Sequence, residues 1–125
     1  MWIAHLRGSA SQTERLVEVR ARGELVMCEP VAMELLAGST ARQVTAIDAL
    51  VNSIPAVDID ANVDFRSAAG IRRATRAQGH TVGSMIDCLI AAIALRHDDV
   101  VVVHDDVDFE RIAEATGLRH ERWIA

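Results

Sequence analysis

The sequence predicts an α/β fold in which a parallel sheet is held between layers of helix. Short apolar runs alternate with stretches of helical periodicity along the chain, the signature of strand–helix–strand units. Val100-Val101-Val102-Val103 is β-branched throughout with no polar alternation, as a strand covered on both faces requires. Ser84 to Arg96 is apolar almost all round, which marks a buried helix.

Taken in order, Met1 to Ile3 is apolar and ends abruptly. A helix fits Gln12 to Arg22, with Leu16 and Val19 on one face and Glu14, Glu18 and Arg22 at ion-pair spacing; Gly23 closes it. Leu25 to Cys28 reads as a buried strand. Pro30 then opens a short helix through Leu36 that Gly38 stops. Ala41 to Val51 is a further helix, and Ala56 to Ile59 a weaker strand after Pro55. Ala61 to Gln78 is a long helix with an apolar stripe of Phe65, Ala68, Ile71 and Ala74, closed by Gly79. Phe109 to Thr116 forms a helix stopped by Gly117, and Leu118 to Trp123 reads as a last strand.

The composition sets bounds. A chain of 125 residues that is 50% hydrophobic suits one compact domain over residues 1–125 and excludes intrinsic disorder. Its longest apolar run, Cys88 to Leu95, is far short of the ~20 residues of a membrane span. No signal-peptide pattern opens the chain, and Cys28 and Cys88 have no metal-type or disulfide spacing, so a reducing cytoplasm is expected. All 13 basic residues are Arg, and the net charge of −5 argues against a protein that coats nucleic acid non-specifically. Gly-rich phosphate loops and G-x-S-x-G elbows are missing from the sequence, so it gives no support to nucleotide cofactors or serine-hydrolase chemistry. The histidines, at 5, 80, 97, 104 and 120, form no zinc-type pair.

Three acidic positions stand out. Asp87 lies in the first turn of the buried helix. It is either the third residue of a capping box opened by Ser84 or an acid held at the rim of the core. Asp106 and Asp108, in His104-Asp105-Asp106-Val107-Asp108-Phe109, follow the Val100–Val103 strand, at the strand end where open parallel sheets gather ligands; one of them as an N-cap is the plainer reading. Glu34 sits on the helix that follows the Leu25 strand, so it too can reach that edge. Converging carboxylates repel one another unless a cation neutralises them, and hard oxygen donors select Mg²⁺ or Mn²⁺. Such a cluster suits attack of water on a phosphodiester with metal assistance. Some of Arg66, Arg72, Arg73 and Arg76 are expected on the exposed side of the Ala61–Gln78 helix, as a solvated face or with one or two in contact with an RNA backbone.

Four blocks of this sequence carry a resemblance. They are Trp2-Ile3-Ala4-His5-Leu6-Arg7-Gly8, Cys28-Glu29-Pro30-Val31-Ala32-Met33-Glu34-Leu35-Leu36-Ala37-Gly38, Ser84-Met85-Ile86-Asp87-Cys88-Leu89-Ile90-Ala91 and His104-Asp105-Asp106-Val107-Asp108-Phe109. In type and order they resemble PIN-domain ribonuclease toxins of the VapC type. The resemblance implies a PIN-like three-layer α/β/α sandwich and a Mg²⁺- or Mn²⁺-dependent endoribonuclease. It further implies the toxin half of a toxin–antitoxin pair, restrained by a VapB-like antitoxin and usually dimeric. By position, Glu34, Asp87 and Asp106 match the family's acidic site residues, Asp108 is the additional acid, and Ser84 matches a hydroxyl residue near the metal.

One departure bears on activity. The family carries its first acid in the opening strand, a few residues before a tryptophan, whereas here Met1 stands directly before Trp2. The first strand is therefore expected to be truncated and the first acid absent. An upstream start supplying both is one reading. A catalytically impaired PIN-like protein acting by binding an antitoxin or other subunit is the alternative, and a single-strand DNA nuclease shares the site.

Overall fold

The computed structural model describes residues 1–6 and 9–125, so the Arg7-Gly8 end of the first family-like block lies outside the described residues. Its elements run β1 (Trp2–His5), α1 (Ala10–Ala21), β2 (Leu25–Val26), α2 (Glu29–Ala37), α3 (Val44–Ser53), α4 (Asp64–Ala77), α5 (Met85–Leu95), β3 (Val101–His104), α6 (Val107–Thr116) and β4 (His120–Arg122). The four strands form one sheet in the order β2-β1-β3-β4, and every pairing is parallel. The α/β reading and the parallel sheet therefore hold.

The opening strand is four residues long. Trp2–His5 themselves take an inner place in the sheet, with Trp2 opposite Leu25 on one side and Val101 on the other. Ile3 is fully buried there, between two strands that share its ladder. Trp2 and Ile3, an aromatic and a β-branched residue, suit a strand paired on both sides, which is why this short segment can hold the place.

Caps written in the sequence set the helix ends. Ser9 opens α1 through a capping box with Gln12, two residues earlier than expected, and Gly23 leaves it at φ +70°, a left-handed position glycine occupies without a Cβ penalty. Arg22 turns to Glu24, at 3.5 Å, rather than back along the helix to Glu18. Gly117 does for α6 what Gly23 does for α1, at φ +75°. The apolar α5 is buried from Asp87 to Ala94, and Phe109 and Ile112 of α6 complete the core with Val102 and Val103.

Two expectations fail for tertiary reasons. The Ala56–Ile59 strand is reduced to a single bridge, Met27 to Ala56. Beyond it the chain is diverted, because the Asp58 carbonyl accepts from Arg96 at 2.6 Å and the Asp60 amide donates to Asp64 at 2.7 Å. The buried face of α4 is also rotated. Asp64, Ala68, Ile71 and Thr75 face inward, while Phe65 is 55% exposed. Asp64 causes the rotation: its carboxylate takes two 2.8 Å hydrogen bonds from Arg96, just past the end of α5, and that pair anchors the helix. Asp64 at the start of α4 thus meets the end of α5, and the two helices run antiparallel.

Candidate metal centre

In the β1–β3 pairing His5 lies opposite His104, so the carboxyl ends of these strands stand side by side. The β3–α6 turn leaves from this edge, and α2 and the first turn of α5 also reach it. Glu34 comes from α2, Asp87 from the first turn of α5, Asp106 from the cap of α6 and Asp108 from its first turn. All four predicted acids meet here, beside a cleft of about 250 Å³ lined by His5, Leu6, Glu34, Asp105 and Asp106.

They form two overlapping groups that share Asp87. One oxygen each of Asp87, Asp106 and Asp108 lies within 4.8 Å of the others, and the same spacing unites His5, Glu34 and Asp87. His5 Nε2 is 3.2 Å and 3.3 Å from the two Glu34 oxygens and 3.7 Å from Asp87 Oδ1. Sequence reasoning missed His5. Alone it has no ligand spacing, and only the strand pairing brings it to the acids.

Each acid is held by its own local geometry. Ser84 caps α5, its Oγ accepting from the Asp87 amide at 3.3 Å. The return arm of a capping box is absent among the described hydrogen bonds, which leaves the Asp87 carboxylate turned to the cluster. Asp106 caps α6 by accepting from the Asp108 amide at 2.9 Å through Oδ1, and its Oδ2 takes no described hydrogen bond. The N-cap and site readings of Asp106 are thus compatible. Asp108 accepts from the Gly83 amide at 3.3 Å and sits 3.6 Å from Arg111. Asp105 turns the other way, to Arg122 at 3.1 Å and the Ala125 amide at 3.0 Å, and is structural.

Electrostatics follow from burial. Asp87 is pushed up to about 6, first by burial, with Asp106, Glu34 and Asp108 adding to the rise and His5 opposing it. Among the described residues, His5 is the one base within ion-pair distance of Asp87, and Asp106 has none. A cluster of carboxylates with so little protein cation fits a hard dication, which supplies the missing positive charge through oxygen donors. Cys28 and Cys88 are buried free thiols, and burial raises Cys28 to about 11, so neither is a ligand or nucleophile here.

Arg66, Arg73 and Arg76 are exposed on α4 and none joins the acids. Because α4 runs antiparallel to α5, Arg73 and Arg76 lie toward the Asp87 end of α5 and Arg66 toward the far end.

A parallel α/β fold with a carboxylate cluster at the carboxyl edge of its sheet defines a class of protein whose acids could hold a metal ion. Comparison makes the assignment specific. The family model for the PIN domain matches residues 1–115. VapC ribonuclease Mb1587 of Mycobacterium bovis is 43% identical over 123 residues, covering 94% of this chain and 90% of the relative. Ribonuclease VapC11 of Mycobacterium tuberculosis matches to the same 43% over the same 123 residues. Among solved structures, DNA-bound VapBC from Salmonella typhimurium superposes with a TM-score of 0.74 at 22% identity, covering 98% of this chain and 97% of that one. VapBC2 from Rickettsia felis, bound to a promoter DNA fragment, gives 0.71 at 19% identity, covering 98% and 99%. At such identities these structures support the fold. The chain belongs to the PIN-domain family, among its VapC ribonucleases.

Proposed function

We propose that this VapC-family ribonuclease is the toxin of a type II toxin–antitoxin pair, a Mg²⁺- or Mn²⁺-dependent endoribonuclease that hydrolyses RNA phosphodiester bonds. The observation that carries the reading is the meeting of Glu34, Asp87, Asp106 and Asp108 at one sheet edge with little protein cation to balance them. Asp87, Asp106 and Asp108 would hold the metal, Glu34 and His5 share Asp87 in a second group that could add to it, and Ser84 fixes the turn that aims Asp87. When bound, the dication lowers the pKa of the attacking water and neutralises charge on the phosphate. The chain's own part is to aim these carboxylates and to receive the RNA backbone on Arg73 and Arg76.

The partner is a VapB-like antitoxin, as the names of the VapBC relatives suggest. An apolar cleft of about 260 Å³ that includes Leu16, Leu35 and Leu50 gives such a protein an apolar seat. We take the working form to be a homodimer in the cytoplasm; no described helix is long and apolar enough to cross a membrane. The alternative is a catalytically impaired PIN-like protein that acts by binding an antitoxin or other subunit; His5 is the β1 residue that reaches the cluster.

Cleavage of single-stranded RNA with Mn²⁺, with EDTA and with Asp87→Asn tests the reading. Cleavage in Mn²⁺ that is lost in both controls is expected. Cleavage that survives EDTA overturns the metal role, and no cleavage by a folded protein that binds antitoxin selects the impaired reading.

A further inference from the structure

His104 is fully buried at the end of β3, where the mechanism above gives it no task. Both its ring nitrogens are engaged. The Asp106 amide donates to Nδ1 at 3.1 Å, and Nε2 lies 2.9 Å from His120 Nδ1. A nitrogen that accepts from an N–H carries no proton, so Nδ1 is bare and Nε2–H donates to His120. The chain of bonds thus runs from His120 on β4, through His104 on β3, to the backbone of a site acid.

The tie falls at a sensitive place. Asp106 is extended, at φ −144° and ψ 129°, where the chain turns from β3 into α6. Among the described hydrogen bonds its amide has no other partner, so an apolar residue at 104 would leave a polar group unpaired beside the acids. The Phe109 ring packs 5.0 Å from the His104 ring and holds it from the α6 side.

We infer that His104, seated by His120, is a positioning residue: it fixes the Asp106 amide and so sets the turn that presents Asp106 and Asp108 to the metal. This rests on the metal-dependent reading above. The two histidines act through hydrogen bonds to backbone and to each other, without touching metal or RNA. Partners of this kind around metal ligands are worth about 10–100-fold in metal affinity.

The test measures Mn²⁺ binding by the electron paramagnetic resonance of free Mn²⁺, alongside unfolding of the same samples. His104→Leu, if folded, should bind Mn²⁺ about tenfold or more weakly. His104→Asn, which keeps an acceptor on the same atom of the side chain, should recover most of the loss. His120→Leu should weaken binding in the same direction and His120→Asn should not; this pair carries the test if His104→Leu does not fold. Imidazole ¹⁵N spectra should show His104 protonated on Nε2. Wild-type Mn²⁺ affinity in folded His104→Leu, or in His120→Leu where that pair carries the test, overturns the inference, as does an Nδ1–H tautomer. If wild type binds Mn²⁺ no better than Asp87→Asn, the metal-centre reading falls and takes this inference with it. If Asp87→Asn alone loses Mn²⁺, only the histidine inference falls.

Discussion

His5 Nε2 lies 3.7 Å from Asp87 Oδ1, on the inner strand of the sheet and the first turn of its most buried helix. The contact is too long to offset burial and three neighbouring carboxylates, and Asp87 is held at about 6 against an ordinary 3.8. In the folded metal-free protein, Asp87 therefore takes up its proton at higher pH than in the unfolded chain. Proton uptake stabilises the fold as pH falls through about 6 and is complete below the unfolded value; above about 6 the charged form is a liability. In EDTA at about pH 8, Asp87→Asn should be more stable than wild type by on the order of 2 kcal/mol, with the gap closing between about pH 6 and pH 4. Denaturant unfolding across pH measures it, and a gap independent of pH would contradict the account.

Metal should reverse that liability. Binding to the folded state alone stabilises by about 2.7 kcal/mol when free metal is a hundredfold above Kd. Mn²⁺ or Mg²⁺ should therefore raise the melting temperature, and more at about pH 8 than at about pH 5, because Asp87 must lose its proton to bind. Asp87→Asn should remove most of the response. An undiminished shift in that variant would place the ion elsewhere.

Helix polarity sorts the arginines of α4. Arg73 and Arg76 lie toward the Asp87 end and Arg66 toward the far end, so their contributions to RNA binding should differ. Removing one arginine that pairs with a phosphate of a single strand reduces the slope of log affinity against log salt by about 0.7. Arg73→Ala and Arg76→Ala should each show such a change, and Arg66→Ala little. Equal slopes in all three would make the whole face merely solvated.

The Asp64–Arg96 pair should be a stability element with no part in metal binding. Asp64 is fully buried and receives both 2.8 Å bonds from Arg96, which hold its carboxyl below the usual range. Its contribution is present above the unfolded pKa and fades as pH falls through the depressed folded value. Arg96→Met should cost about 3 kcal/mol by leaving a buried carboxylate unpaired, and adding Asp64→Asn should recover part of that. Mn²⁺ affinity should be unchanged in both. A neutral Arg96→Met would show that water already serves Asp64.

Much of this molecule was legible along the chain because the signals are local. Ser84, Gly23 and Gly117 act on the backbone within a few residues of themselves, and the unbroken Val100–Val103 run can be satisfied only inside a covered parallel sheet. Once the sheet is parallel, residues that follow its strands must gather at one edge, which is why Glu34, Asp106 and Asp108 could be expected there, while Asp87 stood out as an acid at the start of an otherwise apolar helix. The rest depends on pairings between distant segments, for which spacing gives no sign. Asp64 rotates α4 because Arg96, thirty-two residues away, reaches it. Ala56–Ile59 loses its strand to bonds around the same pair. His5 joins the acids because β1 pairs beside β3, and His104 meets His120 because β4 pairs on its other side. The sequence by itself determined the elements and the edge where the acids collect; only the tertiary structure decided which bases stand among them, since that follows from which strands become neighbours.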